Sequence, residues 1–223
     1  MVDYLHIDHH VQKHIMGVLM YKKVARFRDL KPPKIDTNLF SYHLKLLQKN
    51  GFVEKLSEGY TLGKNGILYI DRVTTSTLEV RTQPKIITML VVQNSEGQLL
   101  LYHRARQPWT DQWTLPYGKL HIEDSSLEAA AKREAYEKLG LKDHPVLHAG
   151  DCYIRIKDGT ETVMSTLAHI FRADADDIVT DERQQWVKVR DLDKYDLAPA
   201  VEKIVARTFF RDPYFFEEFE EAW

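Results

Sequence analysis

The chain holds a single cysteine, Cys152, in 223 residues, which excludes an intramolecular disulfide and points to a reducing compartment. No apolar run approaches the roughly 18–20 residues of a membrane span. The opening string MVDYLHIDHH lacks the basic-then-apolar pattern of a signal peptide. A cytoplasmic protein with no membrane partner is therefore expected. Internal repeats and low-complexity tracts are missing, which excludes repeat architectures. Net charge is also nearly missing, at −2, but that average hides a split. Residues 1–75 carry 12 Lys+Arg against 7 Asp+Glu, and the remainder 19 against 26. A basic first third on an acidic body suggests different partners for two parts, and the length suffices for two small domains.

Chemistry concentrates between Trp113 and Leu141, WTLPYGKLHIEDSSLEAAAKREAYEKLGL. The string reads as a strand end, a Pro-Gly turn, a polar loop and a helix from near Ser126 to Gly140. Ser125 or Ser126 caps the first turn, and Gly140 supplies the left-handed residue that closes the last. Leu127, Ala130, Ala131, Ala135 and Leu139 form an apolar face for close packing. Glu134, Glu137 and Lys138 lie three and four residues apart, adjacent on another face. Two carboxylates on one helical turn suit a hard divalent cation such as Mg²⁺.

This segment resembles the Nudix box, G-x5-E-x7-R-E-U-x-E-E-x-G-U with U aliphatic. Arg133, Glu134, Ala135, Glu137, Gly140 and Leu141 match its second half, and Trp113, Leu115, Pro116 and Gly118 match the W-x-L-P-x-G that often precedes it. The chain departs from the pattern in three places. Gly118 lies one residue too far upstream, the loop glutamate has Glu123 or Asp124 as its nearest stand-in, and the second Glu of the E-E pair is Lys138. The resemblance implies Arg133, Glu134 and Glu137 as catalytic residues, with Glu134 and Glu137 holding Mg²⁺ or Mn²⁺ against a diphosphate. An ammonium at position 138 repels that cation and pairs instead with Glu134, one turn earlier. Hydrolysis is then weakened or lost.

In the first third, residues 7–23 read as a helix with Val11, Ile15, Val18 and Leu19 inward. A short helix in ARFRDLKP ends at Pro32 and Pro33. DTNLFSYHLKLLQKNG follows, with Asp36 as N-cap, Leu39, Tyr42, Leu44, Leu46 and Leu47 as core candidates, and Gly51 as the stop. FVEKLSEGYTLGKNG reads as a hairpin turning at 57–59. Three helices and a hairpin resemble a winged helix-turn-helix, and SYHLKLLQKNGFVEK resembles the recognition helix and wing of bacterial winged-helix regulators. That resemblance implies double-stranded DNA as a partner and a homodimer as the working form. Thr37, Asn38, Ser41, Tyr42, His43 and Lys45 are expected to face the duplex, with Lys55 and Lys64 touching backbone from the wing. Use of the same module for dimerisation or protein docking remains open, as does a core-edge role for Tyr42 and His43.

Residues 73–84 are polar and Thr-rich, so the domain boundary is expected there. IITMLVVQ and QLLLYHRA then form two strands around the turn at 94–97. Arg104, Arg106, Gly118 and Lys119 are candidate ligand contacts, with an Arg gripping a phosphate and Trp109 stacking on a base or packing in the core. After the box helix, HPVLHAGDCYIRIKDGTETVMSTLAHIFRAD is read as three strands with a hairpin at Asp158-Gly159. A strand through WVKVRDLD leads to a closing helix, as is common in the Nudix family. Asp181 and Glu182 read as a solvated acidic loop, the alternative being an additional catalytic acid. His6, His9, His10, His14, His103 and His121 show no metal-site spacing. The aromatic-acidic tail RDPYFFEEFEEAW is expected to pack an edge against the body or a second subunit.

The fold expected is α+β. It comprises a winged helix-turn-helix over 1–75, a linker over 76–84, an α/β/α Nudix sandwich with a mixed sheet over 85–210, and a tail over 211–223. The function expected is that of a DNA-binding regulator whose Nudix domain binds a nucleoside-diphosphate-type metabolite. The alternative is an active Mg²⁺-dependent hydrolase of a nucleoside diphosphate linked to another moiety, with the winged helix for dimerisation or targeting.

Overall fold

The computed structural model describes residues 7–209 and 214–223. His6 and the first residues of the expected tail, 211–213, lie outside the described residues. No helix among the described residues is long and apolar enough to cross a membrane. The chain divides into two compact units, Met1–Gln83 and Pro84–Trp223.

In the first unit, α1 spans His10–Tyr21, α2 Phe27–Leu30 and α3 Thr37–Lys49. The His9 imidazole accepts from the Val11 N–H and caps α1, while Asp36 accepts from Asn38 and Leu39 at 2.8 and 3.1 Å and caps α3. Residues spaced three and four apart bring Ile15 and Leu19 of α1 against Phe40, Leu44 and Leu47 of α3 in one core. Two short strands, β1 (Val53–Lys55) and β2 (Tyr60–Leu62), pair antiparallel across the expected turn.

Several expectations need correction here. Leu39 and Tyr42 are exposed, because they fall on the side of α3 away from Leu44 and Leu47. Lys64 is not on the hairpin but opens a further helix, α4 (Lys64–Ile70), whose buried Tyr69 reaches the core. The expected linker begins too early. Val73 bridges Val80, the Tyr69 hydroxyl donates to the Leu78 carbonyl at 2.8 Å, and Leu78 lies over Gly17, so this stretch folds back onto the first unit.

The second unit is built on one mixed sheet. Its strands are β3 (Lys85–Gln93), β4 (Gln98–His103), β5 (Trp113–Thr114) and β6 (Tyr117–Lys119), then helix α5 (Leu127–Leu139). The hairpin β7 (Leu147–Asp158) and β8 (Glu161–Asp174) follows, then β9 (Gln184–Lys188), a 3₁₀ turn (Val189–Lys194), α6 (Val201–Phe209) and β10 (Phe215–Ala222). The order is β10-β7-β8-β3-β4-β5, with β6 beside β3 and β9 beside β4; β3–β8 and β10–β7 are parallel. Ala131, Ala135 and Leu139 of α5 cover Leu90, Val92 and Phe171 on one face. Val201, Ile204 and Val205 of α6 cover Met89, Ile154 and Ile170 on the other.

Two readings of this half change. The segment after α5 forms two long strands rather than three, because the two pair with each other along their whole length, from Leu147 opposite Arg172 to Asp158 opposite Glu161. The tail, expected to pack an edge against the body or a second subunit, packs on the body as a strand: Phe215–Ala222 adds a parallel edge strand to β7. Phe215 and Phe219 enter the core, and Glu217 and Glu221, at alternate positions of the same strand, meet Arg207 at 2.6 Å and Lys203 at 2.7 Å on α6.

Candidate functional site

Strand β6 and helix α5 face each other, and the contact is unusually close. A Cβ at Gly118 would stand 1.7 Å from the Glu134 carboxylate, so only glycine admits that side chain beneath the strand. Glu134 is accordingly buried, its side chain 5% exposed, where an uncompensated charge is very costly. It is compensated twice. Arg133 Nη1 lies 2.6 Å from Oε1, and Lys138 Nζ lies 3.3 Å from Oε2, the second being the helix-turn pair that the spacing anticipates. Lys138 Nζ also donates to the Tyr117 carbonyl and sits over the Tyr102 and Tyr117 rings.

Of the two candidate stand-ins for the box glutamate, Asp124 is held by protein groups. Arg133 Nε and Nη2 grip its two oxygens at 2.9 Å each, while His121 N–H adds a bond at 2.7 Å. The guanidinium, with that backbone N–H, holds the Asp124 carboxyl down at about 2, and the same pairing raises Arg133. Glu137 is half exposed, with an oxygen 3.6 Å from Arg133 Nη1.

These residues do not fit a hard divalent cation. Mg²⁺ needs several oxygens around it. Yet Glu134 already faces two fixed positive charges and Asp124 is held from both sides. Among the described residues, the one group of three Asp, Glu, His or Cys side chains whose ligand atoms converge within 4.8 Å includes neither Glu134 nor Glu137. A metal shared by Glu134 and Glu137, as the sequence leads one to expect, would have to displace the arginine and lysine nitrogens that face Glu134.

Beside Gly118 opens a cleft of about 440 Å³, within the usual range for small ligands. Five cations line it, Arg104, Arg106, Lys119, Lys138 and Arg183, and no carboxylate does. Such a lining attracts an anion with separated negative charges. Arg104 contributes differently from expectation. Its guanidinium donates to the Pro108 carbonyl at 3.0 Å, the Arg106 carbonyl at 3.2 Å and the Tyr117 hydroxyl, so it shapes the loop as much as it faces the cleft. Arg106 and Lys119 are exposed at the rim.

Arg104, Thr114 and Tyr117 also border a second, more apolar recess lined by Ile87, Met89, Trp109 and Ile156. Trp109 is half buried there, its ring 5.1 Å from Trp223. Arg183 was missed in the sequence, where only the neighbouring acids Asp181 and Glu182 drew attention. Those two are exposed and do not line the cleft, and Asp181 accepts from the Arg183 N–H at 2.8 Å.

In the first unit, Thr37, Asn38, Tyr42, Lys45, Lys55 and Lys64 are exposed and Ser41 partly so. His43 is not on that face. It is buried, stacked on His9 with ring centroids 3.7 Å apart, and burial next to His9 and His10 pushes its imidazole below the ordinary value.

Comparison with known proteins bears on the second unit. The family model for the NUDIX domain matches residues 83–208, more than half of the chain. The mMutator MutT protein from Bacillus halodurans is 21% identical, covering 62% of this chain and 90% of that one at a TM-score of 0.52, which shows the fold. The NUDIX domain of Shewanella oneidensis NrtR, solved with ADP ribose, is 15% identical over 65% of this chain and 97% of its own, at a TM-score of 0.49. NrtR complexed with a 27mer DNA is 17% identical over 56% and 61%, also at 0.49.

Proposed function

Because this chain belongs to the NUDIX domain family over residues 83–208, we propose that it is a DNA-binding regulator whose Nudix domain binds a nucleoside-diphosphate-type metabolite without hydrolysing it. One observation carries the reading. The glutamate expected to hold the catalytic metal is neutralised by Arg133 and Lys138, beside a cleft lined by five cations and no carboxylate. Arg183, Lys119 and Arg106 at that cleft would meet the diphosphate, and the recess with Trp109 and Tyr117 offers apolar and aromatic surface for a base. A fixed lysine charge can neutralise a bound diphosphate, but it supplies no metal-bound hydroxide to attack one.

For the first unit, the order of three helices and a hairpin supports a winged-helix reading. The exposed polar side of α3, with Asn38, Tyr42 and Lys45, would meet the groove. Ligand control of DNA binding then requires different ligand affinities in the free and DNA-bound forms.

The test is a panel of ADP-ribose, NADH, diadenosine polyphosphates, nucleotide sugars and nucleoside triphosphates with Mg²⁺ or Mn²⁺. It reads product release and thermal stabilisation side by side. The expected result is stabilisation by at least one compound without turnover, weakened about tenfold or more in Arg183→Ala. Metal-dependent turnover that disappears in Glu134→Gln would replace this reading with the active hydrolase.

A further inference from the structure

Away from the box, three side chains that sequence spacing does not group converge on strands β7 and β8. His148 Nε2 lies 2.8 Å and His169 Nδ1 2.7 Å from the same oxygen, Asp151 Oδ1. The Tyr214 hydroxyl donates to the other oxygen, Oδ2, at 2.5 Å. The ladder explains the convergence. Asp151 pairs directly with His169, so both point to one face. His148 is three residues before Asp151 and in a regular strand would point the opposite way. The register shifts between His148 and Gly150, and that irregularity turns His148 to the face of Asp151. Its ring is then fixed by stacking on Phe171 at 4.7 Å and by the edge contact with Tyr214 at 5.5 Å.

We propose that His148, Asp151 and His169 form a binding site for a divalent transition metal of the zinc class. Two imidazole nitrogens and one carboxylate oxygen suit borderline ions, whereas Mg²⁺ and Ca²⁺ call for more oxygens. The three ligand atoms lie within 4.8 Å of one another. Around a tetrahedral ion with bonds of about 2.0–2.2 Å, neighbouring ligand atoms stand roughly 3.3 Å apart. The contacts of 2.7 and 2.8 Å to Asp151 need to open by about half an ångström, and the two imidazole nitrogens, within 4.8 Å of each other, draw to the same spacing as the ion replaces the shared hydrogens. Tyr214 supplies the outer hydrogen bond that orients a ligating carboxylate. Side-chain exposures of 32% for His148, 18% for Asp151 and 13% for His169 leave room for water to complete the shell. The ion would link β7 to β8 and, through Tyr214, to the residue leading into β10.

The same three side chains also satisfy one another as a plain hydrogen-bond network, so the experiment must read the metal. Metal-stripped full-length protein is titrated with Zn²⁺ by calorimetry and with Co²⁺ by visible absorption. One ion per chain is expected, with tetrahedral Co²⁺ bands, and binding at least about 100-fold weaker in His148→Ala and in His169→Ala. Tyr214→Phe, which keeps all three ligands, should bind about tenfold more weakly. His10→Ala/His14→Ala, which removes the pair of histidines one turn apart on α1, should bind normally. Loss of binding in that double variant with retention in His148→Ala would overturn the proposal, as would a Zn²⁺ dissociation constant weaker than about 100 micromolar. Should the alanine variants misfold, imidazole ¹⁵N shifts of the unaltered protein decide: Zn²⁺ must move those of His148 and His169.

Discussion

At the scale of the residue, the second unit turns on how one buried carboxylate is accommodated. Glu134 lies under Gly118, and any side chain at 118 collides with it. Gly118→Ala should therefore destabilise the protein by about 1–3 kcal/mol in urea unfolding, the usual cost of overpacking. Part of that loss should return in Gly118→Ala/Glu134→Ala, since the second change removes the obstructing group. Independent effects would show that the two residues do not share the space.

Asp124 offers a pH test. Its carboxyl is held at about 2, chiefly by hydrogen bonds from Arg133 and then by the His121 N–H. A depressed folded value means that the charged form stabilises the fold above the unfolded value near 4, and that this contribution fades as pH falls towards 2. Asp124→Asn should lower Tm at pH 7 by on the order of 5 °C. The difference from the unaltered protein should narrow steadily below pH 4. A gap that is constant with pH would mean that the aspartate acts through shape rather than charge.

At the scale of the element, β10 shows how an acidic sequence joins a sheet edge. Its alternation places Phe215 and Phe219 in the core, and a Cβ at Gly150 opposite would lie 2.5 Å from the Phe215 ring and carbonyl. Arg155 and Lys157 meet Glu220 at 2.9 Å on the other face, so the acids are balanced across the strand. Phe219→Ala should cost about 3 kcal/mol or more of unfolding free energy, as for other large-to-small core changes. Phe216→Ala, at an exposed position, should change it by no more than about 0.5 kcal/mol. Equal effects at the two positions would contradict the alternation. The sequence displays this alternation plainly and led to the expectation of a packed edge; that the edge is a strand added to β7 depends on Phe215 meeting Gly150, far away in the chain.

At the scale of the whole molecule, the basic first unit and the cation-lined cleft of the second make separable predictions. On the proposed function, DNA affinity should fall steeply with salt. Lys45→Ala and Lys55→Ala should each flatten that dependence by about one released counterion. Arg183→Ala should leave DNA binding unchanged in the absence of metabolite and weaken only the metabolite's stabilisation. An unaltered salt slope in both lysine variants would remove these residues from the DNA-facing surface.

The sequence by itself determined most helices, the caps of α3 and α5, most strands and the box, because capping, apolar spacing and turn chemistry act over a few neighbouring residues. The pairing of Lys138 with Glu134 was also legible, since one helical turn fixes it. Only the tertiary structure decided what depends on distant segments meeting. Gly118 against Glu134, Arg183 beside Lys138 at the cleft, and His43 under His9 all bring together residues far apart in the chain. The cluster of His148, Asp151 and His169 depends further on a one-residue register shift, and a shift of one residue reverses the face to which a strand side chain points.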